Sequence, residues 1–224
     1  MRREIVTSAH NPLLTHLKKL LSSRSYREKC GEFAADGTKL LEEAARWYPG
    51  LETVVVQQGV ELCALPEHVR VVEIPENLMR SVSQMEAPQG AIFICKLPQT
   101  QTAGILPGTL LLDGIQDPGN LGTILRTADA LEVPVVLLDG CADAYNPKTV
   151  RASMGAILRT QPVRMTRAEA VSACRAAGIS LLATAMSADA SDLRERALGR
   201  CAVVIGSEGR GVSEELFSAA DGKI

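Results

Sequence analysis

The sequence predicts two α/β domains, and three observations support this fold class. Apolar strand-like runs alternate with helix-like segments twice along the chain, which is the pattern of sheets covered by helices. Runs such as 201–206 (CAVVIG) are continuously apolar, as in parallel strands that are buried on both faces. A polar stretch at 96–108 carries two prolines and two glycines between the halves. We therefore expect one domain at 1–97, a linker at 98–107 and a second domain at 108–224.

Apolar periodicity and turn residues place the elements of the first half in order. Short polar segments separate consecutive elements, and the apolar positions of each element fall on one face. The expected elements are helix-like segments near 10–29, a strand at 32–35, a helix at 38–48, strands at 52–56 and 69–74, a short helix from Pro75 and a strand at 90–95.

The second half is more regular. Asn146 is the expected N-cap of a helix that opens at Pro147, since proline is favoured at the first helical position. The apolar stripe expected on this helix is Val150, Met154, Ile157 and Leu158. The other expected elements are strands at 109–115, 133–138, 161–165, 179–185 and 201–206, and helices at about 120–132, 166–177 and 212–220.

Composition excludes several classes of protein. Of 224 residues, 46% are hydrophobic and 22% are charged, as in globular rather than disordered or fibrous chains. No run approaches ~18 uncharged apolar residues and the N-terminus lacks a secretory apolar core, so we expect neither a membrane span nor export. The six cysteines form no CxxC pair and the three histidines are scattered. We therefore expect no metal site, and reduced thiols in the cytoplasm.

The net charge of −2 conceals a basic N-terminal end. Residues 1–30 hold seven Lys or Arg and two Glu, a net charge of +5, so residues 31–224 carry −7. A separated basic surface can hold a phosphate backbone, and the same charges also fit a solvated helix face.

The first motif, DGIQDPGNLGTILRTA, runs from a strand end at Asp113 into a helix. The turn before this helix contains Asp117 and Asn120, with a proline and a glycine between them. The buried stripe expected on the helix is Leu121, Ile124, Leu125 and Ala128. Arg126 points about 160° away from that stripe. It is free to meet a ligand, although the motif by itself favours a plain surface arginine.

The second motif, VVIGSEGRGVS, again joins a strand to a helix through a glycine-rich turn. Gly206, Gly209 and Gly211 let the backbone curve tightly and approach a bound molecule. Glu208 argues against a phosphate-binding loop, and no GxGxxG dinucleotide fingerprint is present. A purely structural turn is the alternative interpretation of this motif.

Taken together, NLGTILRTADA, NPKTVRASMGA and VVIGSEGRGVS resemble successive signatures of the SpoU/TrmH family of RNA ribose 2′-O-methyltransferases. IVTSAHNPLL, RSYREKCGEFAADGTKLLEEA and APQGAIF resemble the L30e-like substrate-binding domain that many family members carry before the catalytic domain. The resemblance implies a trefoil-knotted SPOUT α/β catalytic domain, S-adenosylmethionine as methyl donor and a homodimer. It implies RNA as the substrate, with 23S ribosomal RNA expected from the N-terminal domain.

The resemblance also implies the site residues. The expected catalytic residues are Asn120, Arg126, Glu208 and Ser213, and the expected donor-binding residues are Ile205, Gly206, Gly209 and Gly211. The expected RNA-binding residues are Arg24, Arg27, Lys29 and Arg151. Family proposals make Arg126 a base, but guanidinium groups stay protonated in proteins. We therefore expect Arg126 to hold an RNA phosphate, with Glu208 positioning it.

A third family signature, Ile-Pro-Met followed by Ser-Leu-Asn, would follow a segment like 214–224, and the sequence ends at Ile224. We therefore expect the knot and the donor pocket to be incomplete at their C-terminal side. Two alternatives remain open at this point. One is a non-catalytic RNA-binding or ribosome-assembly factor that retains the fold. The other is a small-molecule methyltransferase, which would leave the basic N-terminus without a purpose.

Overall fold

A computed structural model describes residues 3–98, 104–187, 189–195 and 198–224. The chain divides into two compact units, which are Met1–Gln99 with Tyr145–Arg159, and Thr100–Ala144 with Thr160–Ile224. Half of the predicted linker, residues 99–103, lies outside the described residues.

The first unit is built around a five-stranded sheet in the order β1-β4-β3-β5-β2. Its core packs Leu14, Leu17, Val55 and Ile92 between the sheet and the helices. The elements up to residue 96 are β1 Arg3–Ile5, α1 Pro12–Ser22, α2 Arg24–Cys30, β2 Glu32–Asp36, α3 Thr38–Trp47, β3 Leu51–Gln57, β4 Arg70–Ile74, α4 Glu76–Val82 and β5 Ala91–Lys96.

This first sheet is mixed, which corrects the expectation of parallel pairing. β5 pairs antiparallel with both β3 and β2, whereas β1, β4 and β3 pair in parallel. α4 and the segment that follows it connect β4 to β5. β5 begins at the end of the sheet where β3 and β4 finish, since Ala91 pairs with Val56 and Ile74 pairs with Gln57.

The basic N-terminal end contains two helices, α1 and α2, as the helix-like segments near 10–29 predict. Ser23 ends α1 in an extended conformation, and its side chain accepts a hydrogen bond from the amide of Tyr26 as the N-cap of α2. The break turns Arg27 inward, where it is 2% exposed and donates from Nη1 to the Leu20 carbonyl oxygen over 2.6 Å. Arg27 thus satisfies a free carbonyl at the C-terminal end of α1, where a cation is favourable.

The second unit is built around a six-stranded sheet in the order β11-β9-β10-β6-β7-β8. All of its pairings are parallel, as the continuous apolar runs predict. The elements of the second half are β6 Leu110–Asp113, α5 Pro118–Ala130, β7 Val135–Leu137, α6 Pro147–Ala152, α7 Ala156–Arg159, β8 Val163–Arg164, α8 Arg167–Ala177, β9 Ser180–Ala183, a 3₁₀ turn at Leu193–Glu195, β10 Cys201–Gly206, α9 Glu214–Ala219 and β11 Gly222–Lys223.

Residues 145–159 pack with the first unit, although the sequence places them within 108–224. The Tyr145 ring lies 4.8 Å from that of Phe33, and Arg159 forms an ion pair with Glu43. These contacts join positions far apart in sequence, so local periodicity carries no signal for them.

The helix predicted from Pro147 is broken after Ala152, which corrects the predicted apolar stripe. Met154 adopts a left-handed conformation (φ 50°) and is 54% exposed, whereas Val150 and Ile157 are buried. The following Gly155 also has a positive φ, and a Cβ there would lie 2.8 Å from Cγ of Glu43. The two left-handed residues reset the helical phase, so Met154 leaves the buried face.

None of the helices in the described part of the chain is long and apolar enough to cross a lipid bilayer.

Candidate functional site

The glycine-rich segment after β10 is a closed loop. The amide of Ser207 donates to the carbonyl oxygen of Gly211 over 3.1 Å, and the amide of Gly211 donates back to that of Ser207 over 2.8 Å. A Cβ on Gly206 would lie only 2.0 Å from the carbonyl carbon of Gly211. Residue 206 must therefore be glycine for the loop to close in this form.

The two motifs of the second unit meet through a direct contact. The Asn120 Nδ2 donates to Oε1 of Glu208 over 2.6 Å, across 88 residues of sequence. Asp117 accepts the Asn120 amide over 2.8 Å as the N-cap of α5, so the turn that the sequence predicts holds Asn120 in place. This contact brings the tip of the glycine-rich loop to the start of α5.

The structure corrects the expected pairing of Glu208 with Arg126. Glu208 accepts from Asn120, and the Arg126 side chain is exposed, with no hydrogen bond to any residue that the structure describes. Six positions separate Asn120 from Arg126 on α5, which corresponds to about 9 Å along the helix and a different face. Arg126 therefore presents an uncommitted cation to solvent.

Two cavities border the loop. The first, the Asn120 cavity, measures about 510 Å³, and its lining includes Gln116, Asn120 and Ile205. The second, the Phe217 cavity, measures about 520 Å³, and its lining includes Thr184, Phe217 and Ile224. The two cavities share the lining residues Gly206, Ser207, Glu208 and Arg210. The loop can therefore contact two molecules, one on each side.

Ser213 lies at the far end of the loop and belongs to the lining of neither cavity. Its amide donates to Oδ2 of Asp113 over 2.7 Å. Its Oγ is buried and has no hydrogen-bond partner among the described residues. In this structure Ser213 acts on the loop through its backbone.

Comparison with protein-family models shows where this site belongs. Residues 107–224 match the model of the SpoU rRNA Methylase family, and residues 11–92 match that of the MRM3-like substrate binding domain. The chain belongs to the SpoU rRNA methylase family. The SpoU match spans the β6–α5 turn, the glycine-rich loop and both cavities.

Individual relatives are similar to this SpoU protein in sequence or structure along most of its length. The 23S rRNA (guanosine(2553)-2′-O)-methyltransferase RlmP of Bacillus subtilis is 32% identical over 219 residues, which cover 96% of this chain and 87% of that protein. A putative TrmH-family RNA methyltransferase from Porphyromonas gingivalis superposes with a TM-score of 0.82 at 34% identity, covering 94% of this chain and 85% of that one. The AdoMet-bound rRNA methyltransferase of Sinorhizobium meliloti superposes with a TM-score of 0.84 at 26% identity, covering 99% and 87%. The predicted α/β fold class is confirmed.

The expected donor-binding residues of the SpoU protein divide between the two cavities. Ile205 and Gly209 line the Asn120 cavity, Gly211 lines the Phe217 cavity, and Gly206 lines both.

The expected RNA-binding residues have four different surroundings. Lys29 is exposed, and Arg24 is exposed and paired with Glu28 over 2.8 Å. Arg27 is buried against Leu20, so the structure corrects its assignment as an RNA contact.

The fourth expected RNA contact, Arg151, lies within the first unit. It is partly buried there, and its Nη1 has no hydrogen-bond partner among the described residues. Its charge tends to lower the pKa of Asp36, although burial dominates and raises that pKa.

Proposed function

We propose that this protein transfers a methyl group from S-adenosylmethionine to a ribose 2′-hydroxyl of RNA, with 23S ribosomal RNA as the substrate. Membership of the SpoU rRNA methylase family supports the reaction class. The Bacillus subtilis relative is named for its action on 23S rRNA, which supports ribosomal RNA as the substrate. The single structural observation that carries the proposal is the Asn120–Glu208 contact, which joins both motifs beside two adjacent cavities.

The Phe217 cavity fits the methyl donor. Its volume of about 520 Å³ lies within the range of small-molecule sites. Val212, Phe217 and Ile224 give it apolar walls suited to an adenine ring, and the backbone at Gly206 and Gly211 borders it without a side chain in the way. When bound there, S-adenosylmethionine supplies an electrophilic methyl group on a positively charged sulfur.

The Asn120 cavity is the proposed site for the target ribose. Its polar lining includes Gln116, Asn120 and Arg210, which can position a sugar and its phosphates through hydrogen bonds. The accepting oxygen must approach the methyl group in line, so fixed placement of both molecules supplies much of the acceleration. Glu208 contributes by holding the Asn120 amide in one orientation.

We assign phosphate binding to Arg126. Its guanidinium is exposed and uncommitted among the described residues, and a planar guanidinium binds a phosphate through two parallel hydrogen bonds. A group that remains protonated cannot remove the hydroxyl proton. Arg126 therefore acts by placing the RNA strand.

The test is methyl transfer by the purified chain. With labelled S-adenosylmethionine and deproteinised ribosomal RNA, we expect label in RNA and, by mass spectrometry, a single 2′-O-methylated nucleotide. A transcript with 2′-deoxyribose at the mapped position is the control, and it should accept no methyl group. RNA binding without any label transfer would instead favour a non-catalytic assembly factor.

We propose that residues 1–97 bind RNA, that 98–107 are a linker and that 108–224 form the catalytic domain. The match of residues 11–92 to a substrate-binding domain supports the first of these roles. The resemblance of the three motifs to the family signatures supports a homodimer formed through the catalytic domain. The six free cysteines support a cytoplasmic location.

Reversing the charge of Arg24 and Lys29 together (R24E/K29E) should weaken RNA binding about tenfold at low salt. Two fewer phosphate contacts should also lower the slope of log K against log salt by roughly 1.5. Filter binding at several salt concentrations measures both effects, and calorimetry should show unchanged donor affinity. The matched control R70E/R80E removes two exposed, ion-paired arginines elsewhere in the first unit. Equal weakening by both pairs would contradict a specific RNA surface.

A further inference from the structure

We infer that Asp113 and Arg167 form a positioning pair that holds the glycine-rich loop closed. This inference rests on the proposed function only in naming what the loop positions. Asp113 is the last residue of β6, and it lies directly opposite Gly206 in the parallel pairing of β6 with β10. The loop therefore leaves the sheet beside Asp113.

The same residue receives the other end of the loop. Oδ2 of Asp113 accepts the Ser213 amide over 2.7 Å, and this amide marks the start of α9. Residues 207–212 thus form a loop that begins and ends beside Asp113, because Gly206 pairs with this residue and the Ser213 amide donates to it. The tip of the loop has a separate anchor, through Glu208 and Asn120.

Arg167 completes the pair from α8. Its Nε donates to Oδ1 of Asp113 over 2.8 Å, while its amide donates to Asp139 over 3.1 Å. Asp113 is 3% exposed, and a buried carboxylate is costly unless it is paired and hydrogen-bonded. Each of its two oxygens has a partner, one from the loop and one from α8.

The division of the carboxylate between two partners explains why the residue is aspartate and not asparagine. The two donors meet different oxygens of Asp113, and asparagine replaces one of these oxygens with an NH2 group, so either the Ser213 amide or Arg167 Nε would face another donor. If it serves Ser213, its amide hydrogens face the guanidinium. Loss of either bond loosens the loop that lines both cavities. Asp113 is therefore a positioning residue that acts through the backbone at Ser213.

The test uses a trypsin site inside the loop. Arg210 and Gly211 are exposed, and cleavage between them reports how often the loop opens. In Asp113→Asn and in Arg167→Met we expect cleavage after Arg210 to accelerate about tenfold, since a hydrogen bond to a charged group is lost. We also expect the Kd for S-adenosylmethionine to rise about tenfold, with a smaller change in the KM for RNA.

The control variant Asp139→Asn removes the other carboxylate near Arg167 and leaves the Asp113–Ser213 bond in place. It should be cleaved at the wild-type rate. Thermal unfolding shows whether each variant is folded, and Arg167→Met decides the matter if Asp113→Asn does not fold. Cleavage within twofold of wild type in the folded variants, or equal acceleration in Asp139→Asn, would overturn the inference. The cleavage comparison needs no methyl transfer, so failure of the proposed function would appear separately, as an inactive wild-type chain.

Discussion

Gly206→Ala is expected to abolish methyl transfer and to weaken donor binding at least a hundredfold. The added methyl group would lie 2.0 Å from the carbonyl carbon of Gly211 and 2.1 Å from the amide nitrogen of Val212. Both neighbours are backbone atoms, so no side-chain rotation relieves the clash, and the loop must open. Overpacking of this kind costs about 3 kcal/mol. Calorimetric titration with S-adenosylmethionine measures the loss.

The matched control for this substitution is Gly199→Ala. Gly199 is exposed, and an added methyl group there would meet no heavy atom within 4 Å among the described residues. Donor affinity and activity should therefore remain those of the wild type. Thermal unfolding separates loss of the loop from loss of the whole fold. If Gly206→Ala binds the donor with wild-type affinity, the closed loop does not line the donor site.

Much of the fold could be predicted because apolar runs report burial directly. β10 was expected at its observed bounds, and the all-parallel second sheet follows from strands such as β6 and β10 that lack polar alternation. The order of strands is a different matter, since β10 lies between β9 and β6. Strand order depends on contacts between distant segments, which periodicity does not encode.

The sequence predicts the separate motifs of the candidate site, but it does not predict the contacts that join them. Glycine spacing and the DPGN turn indicate where the loop and the start of α5 lie, and the structure joins them through Asn120 and Glu208. The sequence also contains a feature that points to Asp113 and that the predicted site residues do not include. Asp113 ends an apolar strand, and a carboxylate buried in such a place nearly always has a partner. Its partner Arg167 lies 54 residues away, beyond the reach of any local pattern.

Arg27, in contrast, was predicted as an RNA contact and is buried in the structure. Counted as a charge it belongs to the basic N-terminal end, but the break at Ser23 changes the face that Arg27 presents. A single capping residue therefore turns the Arg27 side chain from the surface toward the interior of the first unit. There it donates a hydrogen bond to a carbonyl oxygen in the last turn of α1.

Arg126→Ala is expected to lower kcat/KM for methyl transfer by about a hundredfold to a thousandfold and to leave the Kd for S-adenosylmethionine unchanged. The arginine is exposed on α5 and borders neither cavity among the described residues, so its removal leaves the donor's surroundings intact. What it removes is the proposed phosphate contact that aligns the ribose, and misplacement by about 1 Å suffices for a loss of this order. Single-turnover assays with saturating donor measure the chemical step.

Two further variants separate alignment from simple charge attraction. Arg126→Lys keeps the positive charge but loses the planar two-bond geometry, so it should recover RNA affinity more fully than rate. Arg175→Ala removes another exposed arginine of the same unit, on α8, and should retain full activity. Wild-type rates in Arg126→Ala would remove this residue from the mechanism, and a matching loss of donor affinity would point to a disturbed fold. A strand-positioning role predicts a slower methyl transfer to RNA together with an unchanged Kd for S-adenosylmethionine.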